Sequence, residues 1–389
     1  RSSRRSSRSS SADPLNFIGQ EDEDNLDFNT PVSPIDETVY PVITWESYRQ
    51  DLSNFQPRVY YARDLVSLLH DYINSYDEYF RSSPNMRLVF ESAIRANTAE
   101  DEPDAPQIQV VNMVDHEPCP PWEFYYTNKI WLGEEIDPPD ITQLVGCDCK
   151  GKCNPKSTTC SCVKRQSSFY KELHDPGFAY DNKGRLRVQT GIPIFECNAL
   201  CSCDDDECKN RVVQHGRKCS VNIQKTPNKG WGVFAPKKIQ GGTFIGVYSG
   251  EFLRDDVSES RGLVYDKSGR TYLLDIDFYH LKELGDCQYV VDAYHAGNFT
   301  RFLNNSCDPN CKVTPCYINE PDIQKPLLTL FATRDIAPGE ELCFSYSGYD
   351  PNNPDEDEGK GANSIKNKCY CGAAKCTGAI FVFIPPSLV

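Results

Sequence analysis

The sequence predicts a mainly β fold made of small sheets, with a cysteine-rich module on either side and a helical region in front. Three observations lead to this fold class. Short β-type runs such as Thr243–Tyr248, Tyr289–Asp292 and Leu327–Ala332 are bounded by Gly, Pro and Asn between residues 230 and 346. Two clusters of closely spaced cysteines bracket this region. Before residue 100, apolar residues recur instead at helical spacing.

The composition excludes several classes of protein. The chain has 389 residues, 39% of them hydrophobic, which allows two or three domains with a sizeable core. No stretch approaches the roughly 20 apolar residues that span a bilayer, and no secretory signal pattern is present. The net charge of −15 argues against a protein held on DNA mainly by phosphate contacts. It suits a Lys/Arg-rich partner, although an acidic surface can also serve solubility alone.

The N-terminal hundred residues divide into two parts. Residues 1–44 are predicted to be low in complexity and disordered. Residues 45–100 are predicted to form packing helices, the second of which opens after Ser83-Pro84. Residues 98–106 read as an acidic break, and residues 108–136 as short strands and loops. The apolar faces of the two helices are Leu65, Leu68, Leu69, Tyr72, Ile73 and Tyr76, and Met86, Val89, Phe90, Ala93 and Ile94.

Nine of the 19 cysteines form the first cluster. Tetrahedral zinc needs four ligands, so nine thiolates hold three ions if three of them bridge, whereas two ions would leave one sulfur over. No position is then left for water, which predicts a structural site. Disulfides or free thiols are the alternative, but the short spacing and the missing secretion signal favour zinc. The nine are Cys147, Cys149, Cys153, Cys160, Cys162, Cys197, Cys201, Cys203 and Cys208.

Five short motifs follow this cluster. Each alone is a weak signal, since a Gly-x-Gly pattern is often only a turn. Together, with the nine-cysteine cluster before them and a Cys-x-Cys-x4-Cys trio after them, they are very specific. The motifs are Lys229–Val233 (KGWGV), Tyr248–Glu251 (YSGE), Thr271–Leu273 (TYL), Arg301–Asn310 (RFLNNSCDPN) and Gly339–Tyr346 (GEELCFSY).

This set resembles the SET-domain lysine methyltransferases, in particular the heterochromatin class with pre-SET, SET and post-SET modules. The nearest likeness is to the fungal enzymes that methylate lysine nine of histone H3, and it covers about residues 108–385. The resemblance implies a SET fold of small β-sheets with a pseudo-knot. It divides the chain into a pre-SET three-zinc module at 108–215, a SET domain at 216–347, a linker loop at 348–368 and a post-SET zinc segment at 369–389.

The chemistry of lysine methylation sets requirements of its own. Methyl transfer from a sulfonium to an amine is an in-line displacement, so donor and acceptor must be held in near-attack geometry. The lysine must be neutral, and because its free pKa is about 10.4, deprotonation at pH 7 costs roughly 4–5 kcal/mol. A narrow, water-poor channel lowers that cost by disfavouring the ammonium. Aromatic walls fit the lysine stem and the methylated product.

The resemblance implies roles for particular residues. Tyr346 is expected to be the catalytic tyrosine and Tyr248 to share the channel wall, although a buried tyrosine is more often only core. Phe344 is expected to permit di- and trimethyl products. Gly230 and Gly232 allow the backbone to approach a cofactor closely. The expected contacts of S-adenosylmethionine are Lys229, Gly230, Trp231, Tyr272, Arg301, Asn304, Asn305 and Phe381.

The C-terminal trio Cys369, Cys371 and Cys376 supplies three thiolates, one fewer than a structural zinc needs. The resemblance implies that Cys307 is the fourth ligand of this zinc. The chain also departs from the usual family sequence at three positions. They are Asn305 in place of His, Ser345 in place of Asp and Thr377 in place of Arg.

The resemblance also implies partners and location. We expect a nuclear, chromatin-bound enzyme that acts on the histone H3 tail and the nucleosome within a chromatin-silencing complex. It implies a role in heterochromatin formation and gene silencing, without membrane association or sequence-specific nucleic-acid binding. Two rivals are a catalytically silent SET module that only binds histone tails or partners, and a zinc-based nucleic-acid binder. The acidic run Asp204–Glu207 inside the first cluster disfavours the second.

Overall fold

The computed structural model describes most of the chain after residue 82. The predicted disordered segment 1–44, the first predicted helix, most of the linker and the side chain of Phe381 lie outside the described part. All described residues belong to one compact unit, Ile43–Val389. They are residues 83–121, 124–133, 135–169, 177–187, 191–268, 272–285, 287–346 and 364–383.

Three α-helices occur in the described residues: α1 (Pro84–Asp101), α2 (Ser161–Ser168) and α3 (Asp255–Ser268). Helix α1 begins at Pro84, one residue earlier than the predicted opening after Ser83-Pro84, and its five predicted apolar residues are all buried. It continues into the predicted acidic break because Asn97 and Thr98 also pack inward. No helix in the described ranges combines the length and apolar character needed to cross a membrane.

The strands are short and fall into small sheets, which confirms the predicted fold class. Short 3-10 helices at Ile141–Gln143, Tyr279–Leu284 and Phe299–Phe302 connect some of them. In chain order the strands are β1 (Gln109–Val111), β2 (Tyr125–Tyr126), β3 (Trp131–Leu132), β4 (Ile194–Phe195), β5 (Asn222–Lys225), β6 (Trp231–Phe234), β7 (Phe244–Val247), β8 (Glu251–Arg254), β9 (Leu273–Asp275), β10 (Tyr289–Asp292), β11 (Ala296–Gly297), β12 (Asn304–Asn305), β13 (Cys311–Tyr317), β14 (Leu327–Ala332), β15 (Glu341–Phe344), β16 (Ser364–Lys368) and β17 (Ala379–Phe383).

Three sheets carry the fold. A five-stranded sheet has the order β1-β5-β6-β15-β12, and two four-stranded sheets have the orders β3-β8-β10-β9 and β4-β13-β14-β7. Strand β12 pairs in parallel with β15, placing Asn304 opposite Cys343 and Asn305 opposite Phe344. The segment between them, with β13 and β14, belongs to another sheet. The pairing joins two strands that are separated along the chain by strands of another sheet, at the Asn304 segment where the resemblance implies a pseudo-knot.

The region before residue 215 shares sheets and core with the central domain. Strand β1 pairs with β5, and β4 pairs with β13, both in parallel. One core cluster joins Tyr180 and Ile194 from the cysteine-rich part to Phe244 and Phe331 from the central sheets. Because side chains of this size each stabilise the fold by about 1.5–3 kcal/mol when fully buried, the two regions support each other.

The predicted linker 348–368 extends too far. Its last five residues form β16, which pairs antiparallel with β17 in a two-stranded sheet. The alternation of Ile365 with polar neighbours allows a strand opposite the apolar run Ala379–Phe383. A polar composition therefore concealed a strand that pairs with a segment further along the chain.

Candidate active site and metal centres

The nine cysteines of the first cluster lie together in the fold. Seven are buried, and Cys149 and Cys201 pack against them partly exposed. All 19 cysteines lie in the described ranges and none is in a disulfide, which removes one of the two alternatives to zinc. Neighbouring sulfurs approach closely, with Sγ–Sγ distances of 3.5 Å for Cys147–Cys153, 3.8 Å for Cys153–Cys197, 3.4 Å for Cys162–Cys201 and 3.7 Å for Cys197–Cys208.

The cluster contains three sets of four sulfurs, and within each set all four Sγ atoms lie within 4.8 Å of one another. Cys147, Cys153 and Cys197 each occur in more than one set, and Cys208 adjoins the third set through its contact with Cys197. Eight of the nine cysteines belong to these sets, and Cys147 belongs to all three. Sharing of sulfurs between sets is what a compact cluster of several tetrahedral ions requires. The sets are Cys147, Cys149, Cys153 and Cys160; Cys147, Cys162, Cys197 and Cys201; and Cys147, Cys153, Cys197 and Cys203.

Hydrogen-bond donors surround these sulfurs. The backbone N–H of Asn198 donates to Cys201 Sγ at 3.2 Å, and Arg211 donates to Cys203 Sγ at 3.5 Å. The Arg211 side chain is itself buried. Donors directed at sulfur favour the thiolate that binds metal, and such outer contacts orient the ligands. The residues therefore fit a structural zinc cluster.

The C-terminal cysteines meet Cys307 as the resemblance implied. Cys307, Cys369, Cys371 and Cys376 form a fourth set within 4.8 Å. Cys307 Sγ lies 4.0 Å from the Sγ atoms of both Cys369 and Cys376, across 62 and 69 residues of chain. The backbone N–H of Gly378 donates to Cys376 Sγ at 3.3 Å. This set is a second site that fits one zinc ion, beside β12.

Tyr248, Phe344 and Tyr346 form a continuous aromatic wall. The ring centroids of Tyr248 and Phe344 are 6.2 Å apart at 66°, and those of Phe344 and Tyr346 are 5.0 Å apart. Tyr248 and Phe344 are buried, whereas 42% of Tyr346 is exposed. The wall therefore runs from the interior to the surface, as the side of a channel would.

The two tyrosine hydroxyls point at backbone carbonyls. Tyr346 donates to the oxygen of Leu303 at 2.8 Å, and Tyr248 donates to the oxygen of Tyr272 at 3.0 Å. Removal from water raises the pKa of the Tyr248 hydroxyl, and the nearby Tyr346 raises it further. The pKa of Tyr346 is raised by removal of its hydroxyl from water and by the nearby Tyr272. Both phenols are therefore neutral hydrogen-bond donors at pH 7.

An opening lies beside the turn that precedes β6. Gly230 has a φ of +67°, and a side-chain atom placed there would meet nothing within 4 Å. Gly232 is different, because a Cβ atom there would lie 2.6 Å from the Glu341 carboxylate. Gly230 thus allows the positive φ of the turn at an open surface, and Gly232 leaves space for the Glu341 carboxylate.

Polar side chains from three motifs converge next to this opening. Lys229 forms an ion pair with Glu341, whose side chain is 15% exposed. Asn304 donates to Glu341 Oε1 at 2.8 Å and to the backbone oxygen of Trp231 at 3.2 Å. The sequence analysis quoted Glu341 within its motif but assigned it no role. Its place between two predicted cofactor contacts makes it part of the site.

Tyr272 and Arg301 stack on each other. The guanidinium carbon of Arg301 lies 3.9 Å from the centroid of the Tyr272 ring and 4.0 Å from that of Phe124. Its Nε atom donates to the backbone oxygen of Ala293 at 2.9 Å. Arg301 is buried, so it supports the inner side of the Tyr272 ring.

Trp231, another predicted cofactor contact, has a hydrogen bond of its own. Its indole N–H donates to Glu117 at 3.1 Å.

A buried charged network missed by the sequence analysis attaches α3 to the sheet. Arg261 donates to Glu251 at 2.6 Å and to Asp292 at 2.8 Å, and Tyr265 donates to Asp292 at 2.8 Å. Glu251 and Asp292 are 2% and 1% exposed. Two of its members stand in patterns noted in the sequence, since Glu251 ends the second motif and Asp292 ends the β-type run Tyr289–Asp292.

The sequence matches the family models for the SET domain over residues 230–347 and the Pre-SET motif over residues 100–211. It is 36% identical over 378 residues to the histone-lysine N-methyltransferase, H3 lysine-9 specific, of Cryptococcus neoformans var. grubii, covering 79% of this chain and 20% of that relative. It is 37% identical over 287 residues to the protein of the same name from Schizosaccharomyces pombe, covering 72% of this chain and 56% of the relative. The chain thus spans 20% to 56% of the length of these curated relatives.

Solved structures are similar as well. The methyltransferase domain of human histone-lysine N-methyltransferase SETMAR has a TM-score of 0.55 and 32% identity, covering 72% of this chain and 96% of that chain. KRYPTONITE in complex with mCHH DNA, an H3(1-15) peptide and SAH has a TM-score of 0.56 and 27% identity, covering 70% of this chain and 51% of that chain.

The family matches, together with the cysteine-rich module and the small sheets, define a SET-domain protein that carries a pre-SET module. The chain belongs to the SET-domain histone-lysine N-methyltransferase family.

Proposed function

We propose that this protein is a histone-lysine N-methyltransferase that uses S-adenosylmethionine to convert lysine nine of the histone H3 tail to di- and trimethyllysine. One observation carries the proposal. The wall formed by Tyr248, Phe344 and Tyr346 reaches the surface, while both hydroxyls face carbonyl oxygens inside. Such a wall fits the apolar stem of a lysine. The tyrosine hydroxyl oxygens and the backbone carbonyl oxygens can accept hydrogen bonds from the lysine amine.

The two tyrosines would hold the target amine. As neutral phenols, Tyr346 and Tyr248 cannot take the proton of a lysine ammonium, so their role is orientation. The buried wall disfavours a charged amine, which lowers the cost of presenting it neutral. Phe344 has no hydroxyl that could hold a water molecule in the space around the nitrogen. That space is then free for one or two methyl groups, which favours higher methylation.

The residues around Gly230 fit the cofactor. S-adenosylmethionine supplies an electrophilic methyl group, and its amino-acid end carries an ammonium and a carboxylate. The Lys229–Glu341 pair offers complementary charges for both. Tyr272 presents a ring stacked on Arg301, and the amide of Asn304 lies between Glu341 and the Trp231 carbonyl. Asn305 and Phe381 are further candidates for this pocket.

A peptide assay with a series of replaced lysines tests the proposal. The protein would be incubated with S-adenosylmethionine and histone H3 peptides in which single lysines are changed to alanine, and methyl groups would be counted by mass spectrometry. We expect product from every peptide except the one without lysine nine. Product that persists on that peptide would refute the assignment. Cofactor binding by calorimetry without product on any peptide would favour the silent, tail-binding module instead.

We also infer that the protein acts in nuclear chromatin, on nucleosomes, within a silencing complex that forms heterochromatin. The net charge of −15 suits a basic histone partner. Imaging of the tagged protein together with di- and trimethylated lysine nine tests this location. A cytoplasmic signal, or no overlap with the mark, would contradict it.

A further inference from the structure

Asn305 occupies a position where the family usually has His, and its side chain contacts two parts of the site at once. The Oδ1 atom accepts a hydrogen bond from the backbone N–H of Tyr346 at 3.0 Å. The Nδ2 atom donates to Sγ of Cys369 at 3.8 Å. One amide group therefore joins the proposed catalytic tyrosine to a proposed zinc ligand that lies 64 residues further along the chain.

These partners determine the orientation of the Asn305 amide, that is, which side carries the oxygen and which the nitrogen. A backbone N–H can only donate, so the atom that faces Tyr346 must be the oxygen of Asn305. The nitrogen then faces Cys369, and a thiolate sulfur can only accept. Such N–H contacts to metal ligands orient the ligand and tune the affinity for the metal. The two ends of the side chain are therefore not interchangeable.

The backbone around Asn305 is constrained as well. Asn305 lies opposite Phe344 in the parallel pairing of β12 with β15, and the N–H of Ser306 donates to the Phe344 carbonyl at 3.1 Å. Two residues beyond Asn305, Cys307 belongs to the C-terminal set of sulfurs. A shift of these four sulfurs would therefore be transmitted to Tyr346 through residues 305–307, which are fixed by β15 at one end and by Cys307 at the other.

We propose that Asn305 is a positioning residue that couples the C-terminal zinc site to Tyr346. A filled site holds Cys369, Cys369 orients the amide of Asn305, and the amide fixes the backbone of Tyr346. The Tyr346 hydroxyl is thereby kept at the carbonyl of Leu303. The catalytic half of this proposal rests on the proposed function, whereas the zinc half does not.

Asn305→Asp isolates the contact with the sulfur. The aspartate keeps the oxygen that accepts from Tyr346, but it replaces the donor with a negatively charged oxygen next to a thiolate. In the zinc-loaded chain of 389 residues, a chromophoric chelator should remove one zinc ion at least about ten-fold faster than in the parent, because loss of an outer-shell contact commonly weakens metal binding by that much. Release from the first cluster should not change, so its three ions are an internal reference.

Asn319→Asp is the matched control. Its Oδ1 atom likewise accepts from a backbone N–H, that of Ala199 at 2.8 Å, and it lies in the connection between β13 and β14. Release of the single C-terminal zinc ion from this variant should equal that from the parent, because the contact of Asn319 lies beside the first cluster and not beside Cys369. Equal release rates for Asn305→Asp and Asn319→Asp would refute the zinc half of the proposal.

A double-mutant cycle tests the catalytic half. Asn305→Asp and Cys369→Ser should each lower kcat with little effect on the KM of the peptide, and the double variant should be no slower than the slower single variant. Two fold-losses that multiply would mean that the residues act independently, which would overturn the coupling. A parent protein that methylates no histone peptide would refute the proposed function, while zinc release would still test the bridge.

Discussion

Replacing Arg261 with Met should loosen α3 from the central sheet. The substitution keeps an unbranched side chain but removes the cation between the Glu251 and Asp292 carboxylates, whose side chains are 3% and 0% exposed. Removing one member of a buried charged group typically costs 3–5 kcal/mol because it leaves uncompensated charge. The Arg261 side chain is 16% exposed, so some water reaches the group and we expect about 3 kcal/mol, the lower end of that range.

Thermal unfolding followed by circular dichroism measures the loss of stability caused by Arg261→Met. Arg254→Met is the control, because it removes an arginine from a solvent-exposed ion pair instead. Arg254 also pairs with a carboxylate at the start of α3, that of Asp256 at 3.2 Å, but both side chains are more than half exposed. Exposed pairs contribute about 0–1 kcal/mol. Adding Glu251→Gln and Asp292→Asn to Arg261→Met should recover part of the loss, since the unpaired charges are gone. Equal shifts in Tm for Arg261→Met and Arg254→Met would refute the reasoning.

Three further predictions concern the chemistry and the metals. Tyr346→Phe removes the hydroxyl that donates to Leu303 and should lower kcat by about 10²-fold while the protein stays folded, because a misplacement of about 1 Å can cost that much; wild-type turnover would contradict the assignment of the channel. Phe344→Tyr should shift the product towards monomethyllysine in mass spectra, because its hydroxyl can hold a water where a methyl must fit, and a parent enzyme that makes only monomethyllysine would contradict the role of Phe344. Metal analysis should find about four zinc ions per chain, three in the first cluster and one at Cys307, and strong chelators should inactivate the enzyme; two or fewer ions in active protein would contradict the cluster.

Local patterns carried much of the fold prediction. The face of α1 could be read from its spacing because all five apolar residues turn to one side. Helix α3 could not, because in its part with described side chains, residues 255–265, only Ser258 and Tyr265 are buried. Its Leu263 and Val264 are exposed instead, so its apolar residues do not mark the packed face.

The contacts of the site depend on pairs that are distant in sequence. Lys229 and Glu341 are 112 residues apart, and no local pattern connects them. Cys307 was assigned to the C-terminal trio only through the ligand count and the family resemblance, and the structure brings these four sulfurs together. The two contacts of the Asn305 side chain were not predicted, because they depend on the parallel pairing of β12 with β15. Spacing identifies the chemistry of single motifs, while topology decides which motifs meet.

The position of β1 has a consequence for where the chain can be shortened. Strand β1 covers one edge of β5, and the N–H of Val110 donates to Glu91 on α1 at 2.8 Å. A fragment that starts after Val111 would leave the backbone groups along that side of β5 without partners. Uncovered edge strands pair with other chains and aggregate. Strand β1 is the edge of the five-stranded sheet, and Glu91 of α1 occupies its Val110 N–H. Shortening the chain past Val111 would replace this partly covered edge with the bare edge of β5, so a fragment made for solution work should begin before Pro84.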